Sequence, residues 1–172
     1  MDRINNEKII DTIKNFKLPE YDEIPDVGLY LEQVVKYISG FLTPFEELTL
    51  TASMVSNYVK KGLVDNPVKK QYSRDQIAYL IFIAFAKTVL SMDDLDLFFK
   101  LQKSTYSSKR AYDYFILELE NVLHYVFGLK ESLDSVGIDN TLEKEMLRNT
   151  IITVAHKIYL DVYFKVLREQ NL

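Results

Sequence analysis

One segment in the middle of the chain has polar residues of the types and at the spacing that suit contact with a nucleic acid. Read as a helix, Thr51–Lys61 places four polar residues along one face, at positions i, i+3, i+4 and i+7. They are Ser53, Ser56, Asn57 and Lys60. Hydroxyl and amide groups hydrogen-bond to base edges, and an ammonium group binds phosphate. Thr51 can cap the helix, whose exposed N-terminal amides favour an anion, so the segment predicts a DNA-contacting helix.

Positive charge is concentrated in the same part of the chain. Residues 51–76 carry a net charge of +3, whereas residues 1–50 carry −5 and residues 77–172 carry −2. The cations of the basic segment are Lys60, Lys61, Lys69, Lys70 and Arg74. Local positive charge attracts phosphate even when the rest of a protein is acidic. Asp65–Tyr72 is predicted to be a turn or short hairpin, and we expect the turn at Lys69–Arg74 to contact the DNA backbone.

Two tyrosines of this segment have more than one interpretation. Tyr58 falls near Val55 on the apolar side of the predicted helix, which favours core packing, with a hydroxyl contact to phosphate as the alternative. Tyr72 is either a packed turn residue or a contact to the DNA backbone. The complete set of candidate DNA-binding residues is Thr51, Ser53, Ser56, Asn57, Tyr58, Lys60, Lys61, Lys69, Lys70, Tyr72 and Arg74.

The elements that must position these residues are predicted to be helices, and the fold class is all-α. Apolar residues recur at helical spacing along most of the chain, and strict alternation is rare. Seven helices are expected, at about 9–16, 31–41, 51–61 and 74–90, then from a cap at Ser91, over about 108–127, and from a cap at Asn140 with Glu143. Pro19 and Pro25 predict an extended acidic strap over residues 17–27.

The order of motifs around the basic segment resembles a known DNA-binding module. Tyr58 stands four residues before Gly62-Leu63-Val64, and a short basic turn leads to Tyr72-Ser73 and then Gln76-Ile77-x-x-Leu80-x-x-Ile83. This order resembles the winged helix-turn-helix of mercury-resistance-regulator (MerR) type proteins. Leu90–Leu95 resembles the segment that opens the last helix of that module. The resemblance implies that the helix holding Tyr58 enters the major groove and that the basic turn is a wing on the backbone.

Three departures from the regulator pattern bear on function. Ser56 stands where the pattern has arginine, and Gly62–Tyr72 is shorter than the pattern and lacks its glycine, which predicts a stub in place of the wing. The connection Phe41–Leu50 is long for a helix-turn-helix turn of ~3–4 residues. The stretch Leu29–Tyr72 is more similar to an uncharacterised bacterial domain-of-unknown-function family, itself distantly similar to those regulators.

We expect a DNA-binding transcriptional regulator. The alternative is a protein-interaction adaptor that keeps the helix-turn-helix shape without binding DNA.

The sequence contains few residues suited to catalysis or metal binding. The chain has no cysteine, which excludes disulfides, thiolate zinc sites, iron–sulfur clusters and cysteine nucleophiles. His124 and His156 fall on different predicted helices, without a second ligand at metal-binding spacing. Phosphate-binding loops, dinucleotide fingerprints and nucleophile elbows are absent from the sequence. We therefore expect no enzymatic activity, no cofactor and no metal.

Aromatic residues are frequent in the C-terminal part, where nine of the 22 tyrosines and phenylalanines lie at or beyond Tyr106. Three interpretations stay open: a monomeric helical core, a homodimer interface, or a pocket for a small-molecule effector. A dimer would place two DNA-contacting helices about one DNA turn apart, ~34 Å.

We divide the chain into an N-terminal helix and acidic strap (1–27), a winged helix-turn-helix-like domain (28–103) and a C-terminal helical module for dimerisation or sensing (104–172).

The location of the protein is also predicted from the apolar pattern. The longest apolar run, Ile77–Ala86, has ten residues and is too short to cross a bilayer. The first ten residues carry charges and lack the apolar stretch of a secretion signal. We expect a cytoplasmic protein without a membrane segment.

Overall fold

The computed structural model describes residues 6–170, and this part of the chain forms seven α-helices and two short strands. The elements are α1 (Asn6–Lys14), β1 (Leu29–Tyr30), α2 (Leu31–Leu42), α3 (Ala52–Lys60), β2 (Gln71–Tyr72), α4 (Arg74–Ala86), α5 (Met92–Thr105), α6 (Ser108–Val126) and α7 (Leu142–Glu169). Single 3₁₀ turns lie at Tyr21–Glu23 and Glu46–Leu48. The predicted all-α class is confirmed.

Local capping signals account for where most of the helices begin. The Ser73 hydroxyl accepts from the backbone N–H of Gln76, whose side chain in turn accepts from the Ser73 N–H at 2.8 Å, so the predicted capping box is present at α4. Ser91 caps α5 in the predicted way. The predicted cap of α7 at Asn140 is wrong by one residue. Thr141 is the cap, because its hydroxyl accepts from the Lys144 N–H at 3.2 Å.

Helix α4 is the centre of the hydrophobic core. Nine of its thirteen residues are buried, and it packs against α6 and α7. The Phe82 ring stacks on Phe98 of α5 with a centroid distance of 5.0 Å and meets Phe115 of α6 edge-on at 5.2 Å. The buried residues form one cluster that runs from Ile9 in α1 to Val166 in α7. The three predicted segments therefore share one core.

The predicted strap, residues 17–27, is extended around one 3₁₀ turn and is fastened to the helices. The Ile24 side chain is fully buried, and the Tyr112 hydroxyl of α6 donates to the carbonyl of Pro19 at 3.0 Å. Asp22 forms ion pairs with Arg74 of α4 and Lys109 of α6, at 3.8 and 2.5 Å. The strap thus joins the start of α4 to the start of α6.

The connection between α2 and α3, residues 43–51, is longer than the turn of an ordinary helix-turn-helix. It buries Phe45, Leu48 and Leu50, so it is part of the core. The Lys87 ammonium at the end of α4 donates to the Thr49 carbonyl at 2.6 Å and holds the connection in place.

The predicted apolar stripe of α7 is buried in full, from Leu147 to Val166, and faces α6 and α1. Within residues 6–170, none of the helices combines the length and apolar character needed to cross a membrane.

Candidate nucleic-acid interface

Helix α3 is built by local signals that the sequence carries. The Thr51 hydroxyl accepts from the Met54 N–H at 3.2 Å and caps the helix, as predicted. After α3, Gly62 has a φ of +76°, a left-handed conformation that glycine adopts without steric cost, and it ends the helix. Val55 and Tyr58 are the buried residues of α3 and face the core. Their burial leaves the opposite face of the helix open to solvent.

The open face of α3 carries the four polar residues expected there, Ser53, Ser56, Asn57 and Lys60. All four side chains are exposed. Among residues 6–170 they have neither a hydrogen-bonding partner nor an ion-pair partner. Their donors and acceptors are therefore free to contact a ligand.

The predicted hairpin follows α3 and reverses direction at two lysines. The Gln71 N–H donates to the Val68 carbonyl at 2.9 Å, so Lys69 and Lys70 occupy the two central positions of a tight turn. Their φ values are +50° and +65°, the left-handed pair typical of a type I′ hairpin. Both side chains are exposed at the tip. Strand β2 then pairs with β1 in antiparallel register, with Leu29 opposite Tyr72.

Four of the five candidate cations are available for an anion. Lys60, Lys61, Lys69 and Lys70 are exposed, and in the described part of the chain none of them has a carboxylate within 4 Å. The one acidic residue between Lys61 and Lys69 in the sequence is Asp65, which is also exposed. Some lysines elsewhere, such as Lys109 and Lys165, are paired with carboxylates, whereas others, such as Lys8, are not paired within residues 6–170. The basic segment is thus a region of unpaired positive charge on an acidic protein.

Arg74 is bound to the strap and does not join the four unpaired lysines. Its Nε donates to the Ile24 carbonyl at 2.8 Å, and its guanidinium lies 5.5 Å from the centre of the Tyr21 ring. The Tyr21 hydroxyl donates to the Asp75 carboxylate, and burial together with this acidic partner raises the tyrosine pKa. We therefore assign Arg74 to the anchoring of the strap.

The two tyrosines of the segment belong to the core. Tyr58 and Tyr72 are 5% and 4% exposed, and burial raises the pKa of both phenols. The favoured packing role of Tyr58 agrees with this burial. Neither side chain contributes to the exposed surface.

The sequence profile of a domain of unknown function (DUF1836) matches residues 19–115, which is more than half of the chain. The chain belongs to the DUF1836 family. No curated protein and no solved structure gives a significant match. The DUF1836 match begins at residue 19 within the strap, covers α2, α3, the lysine turn, α4 and α5, and ends within α6.

The DUF1836 region depends on elements outside its match. Helices α1 and α7 lie beyond residues 19–115, yet Ile13 of α1 and Ile151 of α7 are 1% exposed within the common core. In the described part of the chain, no three metal-ligating side chains come together. The candidate interface therefore consists of exposed groups on α3 and the lysine turn, supported by a core that extends from α1 to α7.

Proposed function

We propose that this protein binds double-stranded DNA and acts as a transcriptional regulator of MerR-like winged helix-turn-helix type. In this proposal α3 enters the major groove and the turn at Lys69 and Lys70 contacts the phosphate backbone. The observation that carries the proposal is the row of four exposed, unpartnered polar side chains on α3. The unpaired lysines next to this row support it, because phosphate attraction requires accessible positive charge.

The dimensions of the row suit base contact. From Ser53 to Lys60 the helix rises by about 10 Å, since each residue adds about 1.5 Å. Base pairs are spaced about 3.4 Å apart along each strand, so the row matches about three base-pair steps. Ser56 and Asn57 would face base edges, and Lys60 would supply the phosphate contact for which the regulator pattern uses arginine. Thr51 and Lys61 flank the row at the two ends of the helix.

We also propose that the protein forms a homodimer through its C-terminal helices. Leu160 and Phe164 stand one turn apart on α7 and are 48% and 49% exposed. Tyr163 is partly buried beside them and stacks on Tyr159 with a centroid distance of 6.1 Å. An exposed apolar face of this kind is self-complementary when two copies meet about a two-fold axis. Such an axis would present two copies of α3 to a palindromic site.

The proposal is tested by fluorescence anisotropy with a labelled mixture of genomic duplex fragments. We expect binding at ~50 mM salt that weakens steeply at ~200 mM, because counterions are released from the contacted phosphates. The variant Lys60→Ala should lower affinity and reduce the slope of log K against log salt by about 1. The double variant Lys69→Ala/Lys70→Ala should reduce that slope by about 2.

A matched control is available on α1. Lys8 is exposed and, among residues 6–170, is not ion-paired, but it lies outside the interface, so Lys8→Ala should leave the salt slope unchanged. An equal loss in Lys8→Ala and Lys60→Ala would mean that only net charge matters. Absence of salt-dependent binding at ~50 mM salt, where phosphate contacts are strongest, would overturn the proposal.

The second candidate function is a protein-interaction adaptor. It is favoured by an apolar face on the small sheet, where Val68 and Tyr30 both oppose Gln71 and are 75% and 53% exposed. Residues opposite the same strand position share one face of a sheet, so the two form a small patch. The adaptor function predicts that the protein does not bind DNA but binds a partner protein. The substitutions Tyr30→Ser and Val68→Ser should weaken that binding.

A further inference from the structure

A pocket of about 280 Å³ lies between α5, α6 and the start of α7, beneath the loop of residues 127–141. Its walls are mainly apolar and include Phe98, Ala111, Leu117 and Leu147, with Ile138 from the loop. An apolar cavity of about 150 Å³ already holds a benzene ring. This pocket is therefore large enough for a ring together with a short chain.

Tyr114 of α6 lines this pocket, and its buried hydroxyl is unsatisfied. In the described part of the chain, its Oη is the one buried side-chain polar atom without a hydrogen-bonding partner. Native proteins rarely leave such an atom unpaired unless a ligand or water completes it. Burial raises the tyrosine pKa to about 12, so at neutral pH the group is a neutral phenol that can donate a hydrogen bond.

Lys144 supplies a positive charge over the ring of Tyr114. Its ammonium group lies 5.5 Å from the centre of the Tyr114 ring and donates to the Asp139 carbonyl at 2.9 Å. Lys144 is half-buried, and within residues 6–170 it has no carboxylate within 4 Å. A partly desolvated cation is stabilised by an anionic partner, and this one has only a neutral carbonyl.

The other charged groups of the lining limit the ligand to a single negative charge. Arg110 is already neutralised by the Asp139 carboxylate at 2.5 Å. Glu143 also lines the pocket and would repel a ligand with several negative charges, such as a phosphate ester. The free Tyr114 donor and the unmatched Lys144 therefore favour a monoanion.

We propose that this pocket binds a small monocarboxylate with an aromatic or aliphatic body. The body packs against Phe98, Leu117 and Leu147, and the carboxylate accepts hydrogen bonds from Tyr114 Oη and Lys144 Nζ. The site is separate from α3 and does not depend on the DNA-binding proposal. Apolar walls with a few convergent polar groups are the usual composition of a small-molecule site.

The proposal is tested by titrating 3-phenylpropanoate into the full-length protein. Isothermal calorimetry measures the affinity, and NMR spectra of the protein follow the same titration. The matched ligand 3-phenylpropanamide has the same shape and no charge. We expect the carboxylate to bind about tenfold tighter than the amide, because a hydrogen bond to a charged group is about twice as strong as a neutral one. Equal binding of the two, or no binding of the carboxylate at several millimolar, overturns the proposal.

Two variants locate the site. Tyr114→Phe and Lys144→Met should each weaken carboxylate binding about tenfold, with the fold checked by circular dichroism. Controls outside the pocket are Tyr125→Phe on α6 and Lys100→Met on α5, which should bind as the wild type does. Tyr114→Phe removes an unpartnered hydroxyl, so its free energy of unfolding should not fall. Wild-type affinity in both pocket variants would overturn the proposal.

Discussion

Lys69 and Lys70 hold a backbone conformation that favours other residues. Both have positive φ at the centre of a type I′ turn, where Asn-Gly is the preferred pair because other side chains clash with the backbone. Strained backbone that persists often coincides with a functional site. Two exposed lysines at this position are consistent with the proposed contact to phosphate.

At the residue scale we predict that Lys69→Asn/Lys70→Gly stabilises the fold and weakens DNA binding together. Relief of the left-handed strain should raise the free energy of unfolding by about 1 kcal/mol, measured by urea denaturation. Loss of two phosphate contacts should lower DNA affinity in the same preparation. The control Lys69→Arg/Lys70→Arg keeps charge and strain and should change neither quantity much. Increased stability with unchanged DNA affinity would contradict the functional part of the prediction.

At the scale of elements, the strap fixes the start of α4. Arg74 and Asp75 open this helix, and both are bound by the strap residues Tyr21, Asp22 and Ile24. Arg74 comes two residues after β2, so the strap holds the chain close to the lysine turn. The strap is thus a structural support of the candidate interface.

We predict that Asp22→Asn removes one contribution to the pH dependence of stability in the acidic range. The hydrogen bond from Lys109 holds the pKa of Asp22 below its usual value of about 4. A lowered pKa in the folded state adds stability above the unfolded pKa, and this stability is lost as the pH falls through the folded value. Wild type should therefore have the higher urea midpoint at pH 7, and the difference should be smaller at pH 3.

The matched control for Asp22 is Asp26 in the same strap. Asp26 is exposed and has no ion-pair partner among the described residues, so Asp26→Asn should follow the wild-type curve at both pH values. The effect at Asp22 should be small, because its ion pairs are exposed to solvent. Equal midpoints for Asp22→Asn and wild type at pH 7 would mean that the strap is held by Ile24 and Tyr112 without help from Asp22.

Local signals made the elements predictable, whereas contacts between distant parts of the chain were not. The cap at Thr51 and the stop at Gly62 act within one helical turn, so spacing alone predicts α3. The charge of Arg74 predicts a DNA contact, whereas its observed partners, Asp22 and Ile24, lie about 50 positions away, and no local pattern indicates them. The Tyr114 pocket likewise requires the fold of a long loop over three helices.

At the scale of the whole molecule, we predict a homodimer at micromolar concentration in analytical ultracentrifugation. Phe164→Glu should produce a monomer, because two buried charges at a two-fold interface would face each other. The control Leu97→Glu alters a side chain on α5 that is 59% exposed and should stay dimeric. A monomeric wild type would remove the case for a palindromic site and leave binding by a single α3.

The pairing of β1 with β2 has a consequence for the order of folding. Leu29 and Tyr72 enclose 42 intervening residues, which contain the whole of α2 and α3. Closing such a loop in an open chain is entropically costly, and the cost falls once the enclosed segments are already compact. The two helices would therefore dock first and the two-stranded sheet would close afterwards. On the ribosome the lysine turn would then gain its final geometry only after α3 has packed on α2, late in the folding of this region.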